Sequence, residues 1–182
     1  MKKLIIVVGI VIAIVGGLFI GMRIYTKSFS PADVATYSQE GMDISVRYSR
    51  PYKKNRVIFG GLVPYDKVWR TGANEPTVFT TETDLVIGEK TLLKGSYALF
   101  TKPGEDSWEI IFNQPIPSRG VKIPSGEAAR DEAADALVIE VSAINTQNVF
   151  DQFTIDFESM HNEIDMVMMW DQTMVVIPIT LQ

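Results

Sequence analysis

The sequence predicts a mainly β protein in which a single N-terminal transmembrane helix precedes an antiparallel β-sandwich or jelly-roll-like domain. The stretch from Leu4 to Met22 contains nineteen residues without a charge. Later segments alternate apolar and polar residues with the period of two that half-buried strands show. No later segment has the 3.6-residue period of an amphipathic helix. Short strands at regular spacing, separated by turn residues, are typical of sandwiches and barrels.

Residues 1–27 are predicted to be an uncleaved membrane anchor. At 1.5 Å per residue the uncharged run spans about 28 Å, close to the hydrocarbon thickness of a bilayer. The run is longer than the apolar part of a cleaved signal peptide, and no small-residue cleavage site follows it. Lys2 and Lys3 favour a cytoplasmic N-terminus, whereas Arg23 and Lys27 weaken that bias. We therefore expect a single-pass protein of the cell membrane whose residues 28–182 face the periplasm or the exterior.

Composition limits the chemistry that the domain at residues 28–182 can perform. The chain has no cysteine and one histidine, which excludes disulfides, thiolate zinc sites and a multi-histidine metal centre. We expect no metal and no cofactor. His161 falls between two strand patterns, where a solvated turn residue is expected. Residues 28–182 carry a net charge of −9, so nucleic acid is not an expected partner.

The predicted strands begin at Met42, where apolar residues at every second position up to Tyr48 form one face. Residues 28–38 are interpreted as a short tether, and residues 114–135 as a surface loop over one end of the sheet. Asp171 and Gln172 are expected to form a hairpin loop, and Pro178 indicates that the last strand lies at an edge. The further predicted strands cover residues 77–81, 85–87, 91–93, 96–101, 107–113, 136–142, 150–158, 163–171 and 173–181.

Residues 47–75, here named the basic segment, have neither helical nor strand periodicity. The basic segment holds seven basic and two acidic residues, a net charge of +5, so the rest of the domain carries −14. Arginine forks suit carboxylates and phosphates, and aromatic faces stack on sugars or cations. The segment is therefore predicted to bind a small anionic or carbohydrate ligand, or an envelope partner. The candidate ligand-binding residues are Arg50, Arg56, Tyr65, Lys67, Trp69, Arg70, Asn74 and Glu75.

Two other interpretations of the basic segment stay open at this point. In the structural one, each arginine pairs with an acid of the domain and Trp69 plugs an end of the sandwich, because ion-pair networks imitate functional clusters. In the enzymatic one, Glu75 and neighbouring arginines act in a hydrolase-like reaction. A glycosidase would need a second carboxylate at a defined separation, and no catalytic residue is assigned.

Three strings within the basic segment resemble the family catalogued as domain of unknown function 2911. They are YSRP at 48–51, IFGGLVPY at 58–65 and VWRTGANE at 68–75. The strings GSYALF at 95–100 and WEIIFN at 108–113 fit the same family, and the resemblance covers roughly residues 29–180. It implies a bacterial, secreted or membrane-anchored β-rich domain and supplies no activity or catalytic residue.

One stretch departs from the pattern of that family. After Asn113 the family tends to continue with a Trp-Gly pair and with tyrosine- and aspartate-rich residues. Residues 114–135 of this chain contain neither tryptophan nor tyrosine. If this loop roofs a pocket in relatives, the pocket is expected to be altered here.

Overall fold

The computed structural model describes residues 2–160 and 163–182, and it confirms a mainly β protein with one N-terminal helix. Helix α1 spans Lys2–Ser28, and a 3₁₀ turn lies at Glu132–Ala134. The strands are β1 (Ala32–Gln39), β2 (Met42–Ser49), β3 (Val78–Thr81), β4 (Leu85–Ile87), β5 (Lys90–Leu92), β6 (Gly95–Pro103), β7 (Ser107–Asn113), β8 (Asp135–Met160) and β9 (Glu163–Leu181).

All nine strands belong to one antiparallel sheet in the order β1-β2-β3-β6-β7-β8-β9-β4-β5. Strand β8 connects the two halves of this sheet. Its first part pairs with β7 up to Ser142, and from Ala143 onward it pairs with β9. Because β8 is long and changes partner midway, one continuous sheet can supply both layers of a sandwich-like domain.

The sheet folds back on itself around a main hydrophobic core, and a smaller buried cluster of Ala98, Phe100 and Ile111 lies apart from it. Tyr48 of β2 and Phe153 of β8 lie in strands that are not neighbours in the sheet, yet their rings meet edge to face at 5.7 Å. The Tyr48 hydroxyl donates to the Ile155 carbonyl at 3.1 Å and accepts from the Ile155 amide at 2.9 Å. The core draws buried side chains from all strands, so the alternating pattern predicted in β2 is confirmed, with Met42, Ile44, Val46 and Tyr48 facing inward.

The predicted tether at residues 28–38 is wrong, because most of it forms β1. Strand β1 pairs with β2 along its whole length and buries Ala35 and Tyr37. Glu40 and Gly41 form the two-residue connection, with φ of 55° and 82°. Positive φ at both loop residues is the geometry of the turn that joins tight hairpins.

The structure has two long strands, β8 and β9, where the sequence predicts four shorter ones. The predicted hairpin loop at Asp171 and Gln172 is therefore wrong. Both residues lie within β9, where the register against β8 shifts near Phe150 and Asp171 has φ of 55°. The Lys53 ammonium pairs with the Asp171 carboxylate at this irregularity.

The edge position inferred from Pro178 is also wrong, because β9 lies between β8 and β4 and the edges are β1 and β5. Past Val175, β9 no longer pairs with β8, so Pro178 interrupts no ladder there.

Helix α1 is long and apolar enough to anchor in a membrane or to act as a signal sequence, over Gly9–Ser28. Its described side chains are exposed. The chain is fastened to the domain directly after the helix: the Arg50 amide donates to the Pro31 carbonyl at 2.8 Å, and the Asn74 side chain donates to the Ser30 carbonyl at 3.2 Å. The end of α1 therefore has a fixed exit point on the domain.

Candidate functional site

The basic segment connects β2 to β3 and is pinned to the sheet at several points. Tyr52 forms an isolated bridge with Gln152, and Trp69 forms one with Thr101. The Trp69 amide donates to the Thr101 carbonyl at 2.7 Å, and the Thr101 amide donates back at 3.0 Å. A segment without regular structure is thus held by backbone hydrogen bonds, which satisfies the groups that burial would otherwise leave unpaired.

The chain turns sharply after Arg70, and Gly72 permits that turn. Gly72 has φ of 139°, and a Cβ atom at this position would lie 2.9 Å from the Ser49 carbonyl oxygen. Thr71 is fully buried, and its hydroxyl meets that of Thr101 at 3.1 Å. Because only glycine tolerates both the φ value and the close approach, this turn fixes where Trp69 and Arg70 point.

A cleft of about 450 Å³ lies between the basic segment and the loop at residues 114–135. It is named the basic cleft here. One wall comes from residues 62–73 of the basic segment, and Pro51, Lys54 and Arg56 extend that wall. The other wall comes from Val121, Gly126 and Ala128. Phe29 and Ser30, directly after α1, complete the lining.

Two tryptophans from distant parts of the chain border the basic cleft. Trp69 and Trp170 stack with ring centroids 5.8 Å apart and an interplanar angle of 19°. Trp170 is buried, whereas Trp69 is partly exposed and also packs on Phe153 at 5.0 Å. Trp69 therefore plugs the end of the core, as the structural interpretation expects, and at the same time borders the cleft.

The cleft lining contains four cations and no acid: Lys54, Arg56, Lys67 and Arg70. Arg56 donates to the carbonyls of Lys53 and Tyr52, which fixes its guanidinium by backbone contacts. Lys54 lies over the Phe29 ring, with its Nζ 3.4 Å from the centroid. In a domain with an excess of acids, four converging cations without a lining carboxylate make an electrostatically positive surface.

Arg70 is the deepest of these cations. Its aliphatic stem packs against Gly120, where an added Cβ would come within 2.9 Å of the Arg70 Cδ. Within residues 2–160 and 163–182, Arg70 forms no ion pair with a carboxylate, and its Nε donates to the Gly72 carbonyl at 3.4 Å. Burial lowers the pKa of the Arg70 guanidinium. A lowered pKa of a base means that its charge is less well solvated here than in water.

The fold brings together four of the eight sequence-predicted residues, namely Arg56, Lys67, Trp69 and Arg70. Arg50 lies outside the cleft lining. Its guanidinium pairs with Asp33 at 2.9 Å and donates to Thr154 Oγ1 at 2.8 Å and to the Phe153 carbonyl at 3.3 Å. This clamp ties β1, β2 and β8 together.

The other three predicted residues lie elsewhere on the surface. Tyr65 packs on the core and against Gly60, and it lines a separate shallow depression. Asn74 and Glu75 line a groove beside α1, named here the helix-side groove. The Glu75 carboxylate pairs with the Lys27 ammonium at 2.5 Å, and about half of each side chain is exposed. Glu75 does not line the basic cleft.

The sequence does not predict several of the lining residues. The loop residues Val121, Gly126 and Ala128 carry no chemical signal, and only the glycine and proline content of that loop marked it as irregular. Lys54 was counted in the charge of the basic segment but not among the candidates. Trp170 shares a strand face with other apolar residues, a pattern that indicates a core position and not a cleft wall.

The part of the chain that the structure describes holds no group of three or more His, Asp or Glu side chains able to bind a metal. His161, expected to be a turn residue, lies outside the described residues.

The fold and the cleft define a β-rich domain with a basic, tryptophan-bordered cleft beside the end of an apolar helix. The chain belongs to the family described as Protein of unknown function (DUF2911), which matches residues 30–179. The family resemblance of the sequence is thereby confirmed. No curated protein and no solved structure matches the chain.

Proposed function

We propose that this protein is a single-pass membrane protein whose domain, residues 28–182, lies outside the cytoplasm and binds a small anionic ligand in the basic cleft. One observation carries the proposal: four cations and no acid line a cleft of about 450 Å³ that is bordered by stacked tryptophans. This volume lies within the range of small-molecule sites. The membrane anchor is supported by the length and apolar character of α1.

The electrostatics of the basic cleft favour an anion. Like charges that converge on one surface repel each other, and that repulsion is relieved when an anion binds between them. Arg70 adds to this because its charge is partly desolvated and has no lining carboxylate as counter-ion. A carboxylate or phosphate beside Arg70 would raise its lowered pKa again, and bidentate geometry would add directional specificity.

The tryptophan border favours a ligand with a flat or apolar part next to its charge. Aromatic faces stack on sugar rings and on apolar groups, and Trp69 is partly exposed beside Arg70. An anionic sugar or a phosphate ester combines both features in one small molecule. A single ligand can therefore be both anionic and a carbohydrate, the two ligand types expected from the sequence.

The hydrolase-like alternative has less support. Its proposed acid, Glu75, pairs with Lys27 in the helix-side groove, and the basic cleft has no carboxylate in its lining. General acid–base chemistry needs titratable groups within hydrogen-bond reach of one reacting centre. The purely structural alternative is supported for Arg50 by its three protein partners and is less supported for Arg70.

The test is a set of thermal melts of the full-length protein in neutral-lipid nanodiscs. The soluble probes are inorganic phosphate, glucuronate and, as the uncharged control, glucose. We expect at least one of the two anions to raise Tm at millimolar concentration and glucose to leave it unchanged, because a ligand that binds only the native state stabilises it.

The matched variants are Arg70→Met and Arg47→Met. Methionine keeps an unbranched stem at position 70 while removing the charge, and Arg47 is an exposed arginine of β2 outside the cleft lining. Arg70→Met should abolish the anion-induced rise, and Arg47→Met should retain it. If neither anion raises the Tm of the wild type, or if both variants respond like the wild type, the proposal fails.

A further inference from the structure

Exposed apolar side chains surround the mouth of the basic cleft on the side of α1. Val57, Ile123 and Leu62 are 71%, 69% and 46% exposed, and Phe29 is 38% exposed. These four residues are named the apolar rim here. Phe29 and Leu62 line the basic cleft itself, Val57 belongs to the same loop as Leu62, and Ile123 lines the helix-side groove. Val121 lines both cavities, so the basic cleft and the helix-side groove adjoin each other.

The position of the apolar rim relative to α1 places it at the depth of a membrane surface. Ile123 shares the helix-side groove with Phe19 and Met22, the last residues of the uncharged run. Phe29 follows Met22 by seven residues, which is about 10 Å along a helix. The headgroup region on each side of a bilayer is roughly 5–8 Å thick, so Phe29 lies at its outer edge when α1 is untilted and nearer the lipid when α1 tilts, as transmembrane helices commonly do. The fixed attachment of residues 30 and 31 to the domain keeps the rim beside this exit point.

The charges around the apolar rim match an anionic lipid surface. Lys54 and Arg56 lie on the cleft side of the rim, and Arg119 lines the helix-side groove next to Ile123. The acid among the lining residues of the two cavities is Glu75, which pairs with Lys27. Screening limits the influence of the other acids of the domain beyond about 8 Å at physiological salt. Exposed apolar side chains flanked by lysine and arginine are the composition of surfaces that lie on membranes.

We propose that the apolar rim docks onto the membrane that holds α1, and that the basic cleft takes the phosphate headgroup of an anionic lipid from it. The headgroup assignment rests on the anion binding proposed above, and the docking rests on the proposed membrane anchor together with the rim and the helix exit. In this arrangement the four residues of the apolar rim contact the headgroup region. The cations of the cleft then face the phosphate layer, and the partly exposed Trp69 contacts the glycerol or acyl part of the lipid.

Site-directed spin labels on the full-length protein in nanodiscs test the docking. The chain has no cysteine, so Val57→Cys, Ile123→Cys and Leu93→Cys each give a single label. Leu93 is the control because it is 62% exposed and apolar but lies near the opposite end of β2. Leu93 lies two residues before Gly95. Gly95 pairs with Thr81 of β3, and Thr81 pairs with Ile44 near the start of β2. The helix exit lies beyond the other end of β2, where Arg50 contacts Pro31.

In nanodiscs that contain phosphatidylglycerol, labels at positions 57 and 123 should be accessible to oxygen and shielded from a water-soluble nickel chelate. The label at 93 should be accessible to the chelate. Equal chelate accessibility at all three positions would overturn the docking. Because all three substitutions lie at exposed positions, the variants should fold like the wild type.

A second arm identifies the source of the anion. Wild-type Tm should be higher in phosphatidylglycerol than in phosphatidylcholine nanodiscs, and Arg70→Met should lose most of this difference. If soluble phosphate raises Tm in phosphatidylcholine nanodiscs while phosphatidylglycerol gives no increase, the ligand is not a lipid headgroup, and the anion-binding function stands. If neither source of phosphate raises Tm, the assignment of a lipid headgroup as the ligand is also wrong.

Discussion

Arg50 and Arg70 belong to the same basic segment and have opposite surroundings. Arg50 meets the Asp33 carboxylate, a threonine hydroxyl and a backbone carbonyl. Arg70 lies in the basic cleft, meets one carbonyl at 3.4 Å, and has its pKa lowered by burial. The comparison teaches that residue type and charge density do not separate an arginine paired with a carboxylate from one that has no such pair among the described residues, since both lie in the same +5 segment.

The difference arises from which elements each arginine faces. Arg50 follows β2 directly, and its position is set by the strand register that places Asp33 opposite Tyr48. Arg70 follows a backbone bridge to β6 and packs against Gly120 of the loop at residues 114–135. That loop contributes apolar residues and a glycine to the cleft wall, so the lining supplies no carboxylate to Arg70.

Replacing Trp69 should have the largest effect, because Trp69 belongs to both surroundings. Trp69→Ala removes contacts with Phe153 and Trp170 in the core and one border of the basic cleft. Core truncations of aromatic residues cost about 3–5 kcal/mol, and partial exposure of Trp69 favours the lower end, about 3 kcal/mol. Urea unfolding with an unchanged m-value would measure it. Trp69→Phe is the control and should retain most of the stability, and a cost below about 1 kcal/mol for alanine would show that Trp69 is not part of the core.

The two arginines should respond in opposite ways to the same substitution. Arg50→Met removes an ion pair and two hydrogen bonds, and we expect a loss of about 2 kcal/mol, since hydrogen bonds to charged groups contribute about 1.5–3 kcal/mol each and partial exposure reduces this. Arg70→Met should leave the free energy of unfolding unchanged or raise it. Its lowered pKa means that the charged form is less favourable in the folded than in the unfolded state, so removing the charge removes a cost.

Urea unfolding of both variants beside the wild type measures this contrast. Arg50→Lys is a useful third variant because it can restore the pair with Asp33 but not the further contacts with Thr154 and Phe153. It should recover part of the lost stability. The contrast is broken if Arg70→Met costs as much as Arg50→Met, a result that would favour the structural interpretation of the whole basic segment.

Much of the fold could be predicted because the alternating pattern of a strand is contained in its own residues. The alternation of Met42, Ile44, Val46 and Tyr48 needs no information from elsewhere in the chain. The features that were missed depend on distant partners. Asp171 reads as a turn residue, but β9 continues through it while its carboxylate pairs with Lys53, 118 residues earlier. Strand β1 buries only Ala35 and Tyr37, so its alternation is too short to be recognised in the sequence.

The candidate site could be predicted only in part for the same reason. Residues 67–70 are adjacent in sequence, so their shared location followed from the chain itself. The opposite wall, at Val121 and Ala128, lies about 50 residues away and has no chemical signature. Whether Arg50 or Arg70 meets an acid depends on register and loop packing, which a count of charges does not contain.

Glu75 gives the smallest expected effect and tests the limit of the comparison. It was predicted beside the arginines of the site, but it pairs with Lys27, and the two side chains are 48% and 46% exposed. Exposed ion pairs contribute roughly 0–1 kcal/mol, so Glu75→Gln should change the free energy of unfolding by less than about 0.5 kcal/mol and leave anion binding in the basic cleft unchanged. Asp33→Asn is the matched control, because it breaks the better-shielded pair with Arg50 and should cost more. A loss of anion binding in Glu75→Gln would instead show that Glu75 contributes to the binding site. The hydrolase-like alternative would then regain the acid that it requires.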